Sequence, residues 1–544
     1  MLTVNNISKS FGPKMVLNSV NFTVNSGDRS VILGVNGSGK STLLKIIAGE
    51  IKPDQGSVQF TPTDLNCFYI PQVRSFKAGQ TIGECFFPQA DHTSSRDQRL
   101  EKLSTELSRF PTDQALIDEF DALLNEMQQP VPDQSVTEQV LRTLGFSQFK
   151  PETVIDHLSG GQKTRLYLAK AVLSGANLLL LDEPTNDLDE EMLVWLEDWF
   201  TNFPSGILFV SHDRTFLNRT VTQVLELDRD THLVRAYDGN YEDWLERKAD
   251  EAKTQQAAWT RQQHSIRELQ DAVRQLNRNA AFKKGGKGDS GDKFAKGFFA
   301  NRTKGTMKRA IQLDEKLQRL KNEDRIDKPG SHWKIKMEFS EMEETGDQVL
   351  ILDDLTVGYP GNPLVESIDL RLTRGKCCVL TGRNGSGKST LLKTITGDVP
   401  PLAGRVVHGS NIKIGTLTQG VDSPLFKADA FQTLAALVSQ NETEVRRILS
   451  YYLFFGDDVF IPTENLSSGQ RARLTLACFA LTGVNLLLLD EPLNHLDIES
   501  REQFEEVLQT YPGTVLAVVH DRYFAERCAD TLWRIEGQKL VVLS

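Results

Sequence analysis

The chain has 544 residues, three to four times the usual domain length of roughly 150, so several cores are expected and one compact domain is excluded. Hydrophobic residues make up 39% and charged residues 25%, with 39 Gly and 20 Pro, which excludes disordered and fibrous chains; the net charge is −11. No apolar run reaches the roughly 18 to 20 residues that span a bilayer, and Met1 to Ser10 lacks a basic-then-apolar leader, so the expectation is a cytoplasmic protein with no membrane partner. Cys67, Cys85, Cys377, Cys378, Cys478 and Cys528 form no CxxC pair and are expected to be buried thiols, neither zinc ligands nor disulfides.

In chain order, the first strong signal is an apolar strand, Ser30 to Leu33, running into GVNGSGKST and then an apolar helix. That is the context of a phosphate loop. Its glycines let backbone amides approach phosphates, the helix N-terminus adds its dipole, and Lys40 neutralises the β and γ charges. Gly34, Asn36, Gly37, Ser38, Gly39, Lys40, Ser41 and Thr42 are therefore expected to bind ATP or GTP, with Ser41 a Mg2+ ligand. Further on, LSGGQ (Leu158 to Gln162) precedes the strand LLLLD, which ends in Asp182. An aspartate at a buried strand tip suits Mg2+ binding, direct or through water, and Glu183 is placed to polarise an attacking water.

The whole set then recurs. GRNGSGKST repeats the loop with Gly382, Asn384, Gly385, Ser386, Gly387, Lys388, Ser389 and Thr390; LSSGQRARL, LLLLDEPLNHLD and VVHDR repeat the later strings, with Ser389, Asp490 and Glu491 in the corresponding roles. The first copies precede the second by 348 residues at Lys40/Lys388 and 347 at Gln72/Gln419, but by 308 at Ser159/Ser467, Glu183/Glu491 and His212/His520. The first half thus carries 39 extra residues, expected at about 84–130 as a helical arm broken at Pro111.

Between the halves, Ile266, Leu269, Val273 and Leu276, and again Ala310, Leu313, Leu317 and Leu320, follow 3-4-3 spacing around a glycine-rich stretch. This predicts an antiparallel helical hairpin over 241–330, with a first helix from about Leu245 to Asn279 and a basic tip at about 279–305. The fold class is α/β: two P-loop ATPase domains in tandem, 1–240 and 331–544, joined by that hairpin.

These motifs resemble ATP-binding cassette ATPases over essentially the whole chain apart from the insert and the linker tip. The resemblance implies that each LSGGQ-type segment faces the γ-phosphate held by the other half, within one monomer. One composite site would join Lys40, Asp182 and Glu183 to Ser467, Ser468, Gly469 and Gln470; the other would join Lys388, Asp490 and Glu491 to Ser159, Gly160, Gly161 and Gln162. It further implies that Gln72 and Gln419 touch Mg2+ and the attacking water, that His212 and His520 contact the γ-phosphate, and that Phe11 and Tyr359 stack on adenine. The adenine preference rests on this resemblance alone. Ser468 departs from the signature glycine, Asp187 stands opposite His495 and Thr185 opposite Leu493; none removes a phosphate, metal or water group, so both sites are expected to hydrolyse ATP.

Two cassettes in one chain with an arm and an interdomain hairpin resemble the F subfamily, whose members act on the ribosome. That resemblance implies a 70S-type ribosome as partner, with the hairpin entering the tRNA exit site and approaching the P-site tRNA and peptidyl-transferase centre. Charge argues the same way from physics. From Val273 to Ala310 there are 11 Lys or Arg against 2 Asp, a local charge of +9 in a chain of net −11. Lys283, Lys284, Lys287, Lys293, Lys296 and Arg302 are interleaved with Phe294, Phe298 and Phe299, a pattern suited to rRNA or tRNA. The arm, with 4 basic and 11 acidic residues from Asp91 to Glu138, is expected to meet a basic ribosomal protein. Within the subfamily, the length of the tip and the absence of an extension beyond Ser544 favour ribosome protection against antibiotics. A housekeeping translation factor is the alternative; an exporter's ATPase subunit is a rival that leaves the basic hairpin without a purpose, and a DNA-repair or chromosome ATPase is another, against which the missing cysteine pairs and the shortness of the hairpin count.

Overall fold

The computed structural model describes residues 2–63, 65–74, 76–87, 103–105, 108, 120, 134–284, 293–322, 324–326, 346–417, 425–438, 441–494 and 496–543, with backbone alone over 277–307. The chain forms two compact units: Met1–Tyr241 with Lys334–Ser544, and Glu242–Trp333.

The first unit contains two copies of one architecture. In the first copy a six-stranded sheet has the spatial order Cys67–Ile70, Leu178–Asp182, Gly206–Val210, Arg29–Leu33, Gln223–Leu227, Val234–Asp238, parallel throughout except for the last strand. The second copy repeats that order with Ile414–Leu417, Leu486–Asp490, Thr514–Val518, Cys377–Gly382, Thr531–Glu536 and Lys539–Leu543. Parallel strands covered on both faces must be apolar along their length, which is why LLLL and GILFV are buried at every position. Each copy adds a three-stranded antiparallel sheet, centred on Leu2–Phe11 in one and on Gln348–Tyr359 in the other. The helices after the two phosphate loops, Lys40–Ile47 and Lys388–Thr396, bury Leu43, Leu44, Leu391 and Leu392 between the two sheets. Cys378 and Cys478 are buried and the other four thiols half-buried, and burial pushes Cys67 up to about 12.

The second unit is a helix pair, Tyr241–Lys284 and Lys293–Asn322. At 1.5 Å per residue the 44-residue helix is about 65 Å long. Ile266, Ala310 and Leu317 are buried and Leu269, Val273, Leu276, Leu313 and Leu320 half-buried, so the 3-4-3 seam is where the helices pack. The Ile326 N–H donates to Gln262 Oε1 at 2.9 Å, closing the base of the pair.

The helices run further than the sequence reading put them. The first ends at Lys284, not near Asn279, and the second begins at Lys293, so most of the segment 279–305 is helical and not loop. Gly297 and Gly305 each cost about 1 kcal/mol in a helix interior, too little to stop a long helix that is already nucleated. The expected arm helices around Pro111, the side chains of the tip residues from Lys283 to Arg302, Gln419 and His495 lie outside what is described.

Candidate functional site

Both phosphate loops sit at the carboxyl ends of parallel strands, where a doubly wound sheet opens a crevice. Gly39 and Gly387 cap the following helices at φ +111° and +101°, in the left-handed region. A Cβ at Gly39 would lie 2.6 Å from Val16, and one at Gly387 2.9 Å from Leu364, so glycine is required at both positions. Lys40 Nζ donates to the carbonyls of Gly34 (2.7 Å) and Val35 (3.1 Å), and Lys388 Nζ to those of Gly382 (2.8 Å) and Arg383 (3.0 Å). Burial lowers the pKa of each ammonium, while facing carboxylates (Glu183, Asp497 and Asp182 for Lys40; Glu491, Asp189 and Asp490 for Lys388) act in the opposite sense.

Adjacent parallel strands deliver the carboxylates and histidines to one edge. Asp182 ends Leu178–Asp182 with Glu183 next to it, and His212 follows Gly206–Val210. The Glu183 N–H donates to Val210 O (3.0 Å) and the Glu491 N–H to Val518 O (2.9 Å). Both glutamates take left-handed φ, +53° and +50°, a conformation that costs a non-glycine residue about 1–3 kcal/mol and that marks functional turns. His212 Nε2 lies 3.0 Å from Glu183 Oε1, and His520 Nε2 3.5 Å from Glu491 Oε1.

The two pairs differ in burial. Burial pushes Glu183 up to about 7 and holds His212 well below its usual value, the latter helped by Lys40 and Arg501. Burial acts upward on Glu491 too, but His520 at 3.5 Å, Lys388 and the hydrogen bond from Asn494 outweigh it and hold the carboxyl low. At the first site Asp182 Oδ2, Ser38 Oγ and Glu183 Oε2 are buried without a hydrogen-bond partner in the protein, and Ser386 Oγ is in the same state at the second. Ser389 Oγ donates to Asp490 Oδ1 at 3.2 Å. An unspent oxygen on Asp182, and the pairing of Ser41 with Asp182 and of Ser389 with Asp490 beside the phosphate loops, suit Mg2+, which takes one or two protein ligands and completes its shell with phosphate and water.

Beside each phosphate loop the two halves of the first unit meet in direct contacts. Asn384 Nδ2 donates to Asp187 O (2.9 Å), and a Cβ on Gly161 would lie 2.4 Å from that same oxygen and 3.4 Å from Asn384 Nδ2. Reciprocally, the Asn36 N–H donates to Asp497 Oδ2 (2.7 Å). Ser159 and Ser467 each N-cap the helix of their signature segment in a full capping box with Gln162 or Gln470. Phe11 and Tyr359, 51% and 50% exposed, end the first strands of matching hairpins. Gln72 is exposed. The residue of its loop that reaches the site is Arg74, whose Nη2 donates to Glu183 O (2.8 Å).

Sequence reasoning missed Arg74, Asp189, Asp497 and Arg501. Asp189 and Asp497 were legible as helix N-caps after a conserved-looking loop repeat, whereas the arginines stand in no repeated string. The departure Thr185/Leu493 is compensated: Thr185 Oγ1 bonds Ser211 Oγ at 2.9 Å, and their counterparts Leu493 and Val519 are both buried and apolar.

A family model described as ABC transporter matches residues 17–186 and 365–494, and a second with the same description matches 226–339. The chain is 37% identical to the putative ATP-binding protein YdiF of Bacillus subtilis, over 99% of this chain and 80% of the relative. It is 32% identical to ABC transporter F family member 2 of Arabidopsis thaliana, over 98% of this chain and 76% of the relative. Among solved structures, it is similar in fold to RNase-L Inhibitor (TM-score 0.55, 18% identity, 99% and 89% of the two chains). It is similar also to a model of ribosome-bound archaeal Pelota and ABCE1 (TM-score 0.59, 17%, 99% and 78%). Among the described residues no helix is long and apolar enough to cross a membrane. With two nucleotide loops, two signature helices and F-family relatives along its length, the chain belongs to the ABC family, in its F branch, and is an ATPase.

Proposed function

We propose that this ATPase is a ribosome-acting factor in which ATP closes the two cassettes and the basic hairpin works on RNA near the peptidyl-transferase centre. The observation that carries the reading is the +9 segment from Val273 to Ala310, located where two long helices turn back, in a chain whose net charge is −11. Relatives named F family members, and a fold neighbour that is a model of ribosome-bound archaeal Pelota and ABCE1, support it. The partners are then rRNA and the P-site tRNA at the tip, with a basic ribosomal protein at the acidic arm, and the place of action is the cytoplasm.

At each site Mg2+ would be held by Ser41 and Asp182, or by Ser389 and Asp490, and when bound would neutralise phosphate charge. Lys40 and Lys388 exchange loop carbonyls for phosphate oxygens. Glu183 and Glu491 accept a proton from, or orient, the attacking water; His212 and His520 hold those carboxylates from behind and face the γ-phosphate. Gln72, an exposed side chain, and Gln419 would join the metal and water contacts once nucleotide is bound, and Phe11 and Tyr359 would stack on adenine. Asn384 beside Gly161, and Asn36 on Asp497, are the contacts through which each site senses the opposite cassette.

Glu183→Gln with Glu491→Gln tests the cycle: the double variant should hydrolyse no ATP and stay bound to ribosomes through a sucrose cushion in ATP. Normal release of that variant would sink it. Within this reading we favour protection of the ribosome against antibiotics. The second reading, a housekeeping translation factor, gains from the helices running through most of 279–305, which shortens the loop on which the protection reading leans. Inhibitory concentrations of lincosamides, macrolides, streptogramins, pleuromutilins and phenicols, with and without the chain, separate the two.

A further inference from the structure

Positions 308 apart correspond between the cassettes, and on that scale Leu193 corresponds to Arg501. Both stand early in equivalent helices, Glu190–Asn202 and Ile498–Thr510, and both are buried, at 2% and 6% exposure. One cassette therefore buries a guanidinium where the other buries an aliphatic side chain. A buried arginine costs several kcal/mol of desolvation, so its donors must be used. Arg501 Nε donates to Leu496 O at 3.1 Å, and Nη1 to Asp521 Oδ2 at 3.0 Å.

Those two acceptors belong to different sites. Leu496 immediately precedes Asp497, whose Oδ1 accepts the Ser500 N–H (2.9 Å) and whose Oδ2 accepts the Asn36 N–H of the first phosphate loop (2.7 Å). Asp521 follows His520 and caps the next helix through Phe524 N (2.9 Å). Arg501 also lines a cavity of about 40 Å3 with Asp187, Asp213, Glu491 and His520, at the junction of the cassettes. On the opposite side Leu193 has no donor to offer: Asp189 caps Met192 N (3.2 Å), and its other oxygen is 3.9 Å from Arg165.

We propose that Arg501 is a positioning residue of the first nucleotide site, supplied by the second cassette, that fixes Asp497 against Asn36 so that this site is held assembled ahead of the other. The two sites are then unequal by construction. The inference deepens the reading of two composite sites and rests on it.

Amide exchange of the nucleotide-free full chain tests it without hydrolysis. In the wild type, loop 34–39 should exchange more slowly than loop 382–387. Arg501→Leu, which copies the residue of the other cassette, should speed exchange in 34–39 by roughly tenfold and leave 382–387 unchanged. Arg501→Lys, which keeps the charge but not the fork, should fall between them. Asp521 keeps Arg214 at 3.9 Å as a neighbour, so the variant retains a counter-charge there. In a Glu491→Gln background, where hydrolysis reports the first site, Arg501→Leu should raise KM for ATP several-fold with a smaller change in kcat. Equal acceleration of both loops, or unchanged exchange at 34–39, overturns the proposal; if Arg501→Leu does not fold, Arg501→Met makes the same comparison. Failure of ribosome binding or of hydrolysis leaves the nucleotide-free exchange result untouched, so the two readings fail separately.

Discussion

Arg214, one residue past the His-Asp pair of the first cassette, forms a two-pronged ion pair with Glu505 of the second, and both side chains are at most 1% exposed. The counterparts 308 positions on and back, Arg522 and Glu197, make the reciprocal pair. Arg219 joins Glu197 at 2.9 Å and Arg527 joins Glu505 at 3.6 Å, so the exchange has the two-fold pattern of the duplicated chain. The two halves differ in detail: the Arg214 guanidinium lies 4.1 Å from the ring of Tyr523, where the first half has Thr215, and the Arg214 side chain is 1% exposed against 17% for Arg522.

Removing one partner of a fully buried pair strands the other charge, at about 3–5 kcal/mol. Glu505→Ala should therefore destabilise the protein by about that much in a denaturant titration. Glu197→Ala should cost less, about 1–2 kcal/mol, because the arginine it strands, Arg522, is 17% exposed against 1% for Arg214, and its second partner Arg219 is 56% exposed and regains water. Equal losses would mean that the two pairs carry the same load despite their different burial.

Gly161 and Gly469 occupy the same signature position, yet their surroundings differ. A Cβ at 161 meets the fixed carbonyl of Asp187 at 2.4 Å, whereas one at 469 meets Ser500 Oγ at 2.8 Å, the mobile end of a side chain. Gly161→Ala should consequently lower steady-state ATPase activity by roughly tenfold or more, through about 1–3 kcal/mol of overpacking in the closed form, and Gly469→Ala by less than about threefold. Similar losses would assign the glycine requirement to the nucleotide and not to these neighbours.

Much of this was readable in the sequence, for identifiable reasons. Two cassettes follow from repeated strings whose residue types are dictated by phosphate, metal and water, and LLLL is legible because a parallel strand has no solvated face. The hairpin seam follows from helical periodicity. What stayed hidden depends on which surfaces meet. Arg501 lies in IESREQFEE and looks like one more charge on a solvated helix face, until the other cassette covers it. Glu505 has the same disguise. The extent of the hairpin helices was misjudged because Gly297 and Gly305 suggest a loop, while nucleation by the long flanking helix carries the backbone through.

The hairpin should depend on its seam and not on its charges. Leu317, 5% exposed, and Ile266, 8%, are among its most buried side chains. Leu317→Ala should destabilise the helix pair by about 2–4 kcal/mol and speed exchange across 258–326, with ATPase activity in the absence of ribosomes within about twofold of wild type. A matching loss of activity would show that the hairpin's packing feeds back on the nucleotide sites.

Arg74 supports the strained turn at the first site. Its Nη2 holds the carbonyl of Glu183, a residue at φ +53°, and the charges of Asp187, Asp182 and Glu183 favour the guanidinium against its burial. By the 347-residue offset of this loop the second half has Val421 in sequence, a side chain with no guanidinium to offer. A charge-assisted hydrogen bond of about 1.5–3 kcal/mol, spent on keeping Glu183 aimed, corresponds to about 10- to 100-fold in rate. Arg74→Ala in a Glu491→Gln background should lower kcat by that factor with little change in KM, whereas in a Glu183→Gln background, where the second site turns over, it should change kcat less than about twofold. Loss of rate in both backgrounds would make Arg74 a general support of the cassette junction; loss in the first alone assigns it to the turn that carries Glu183.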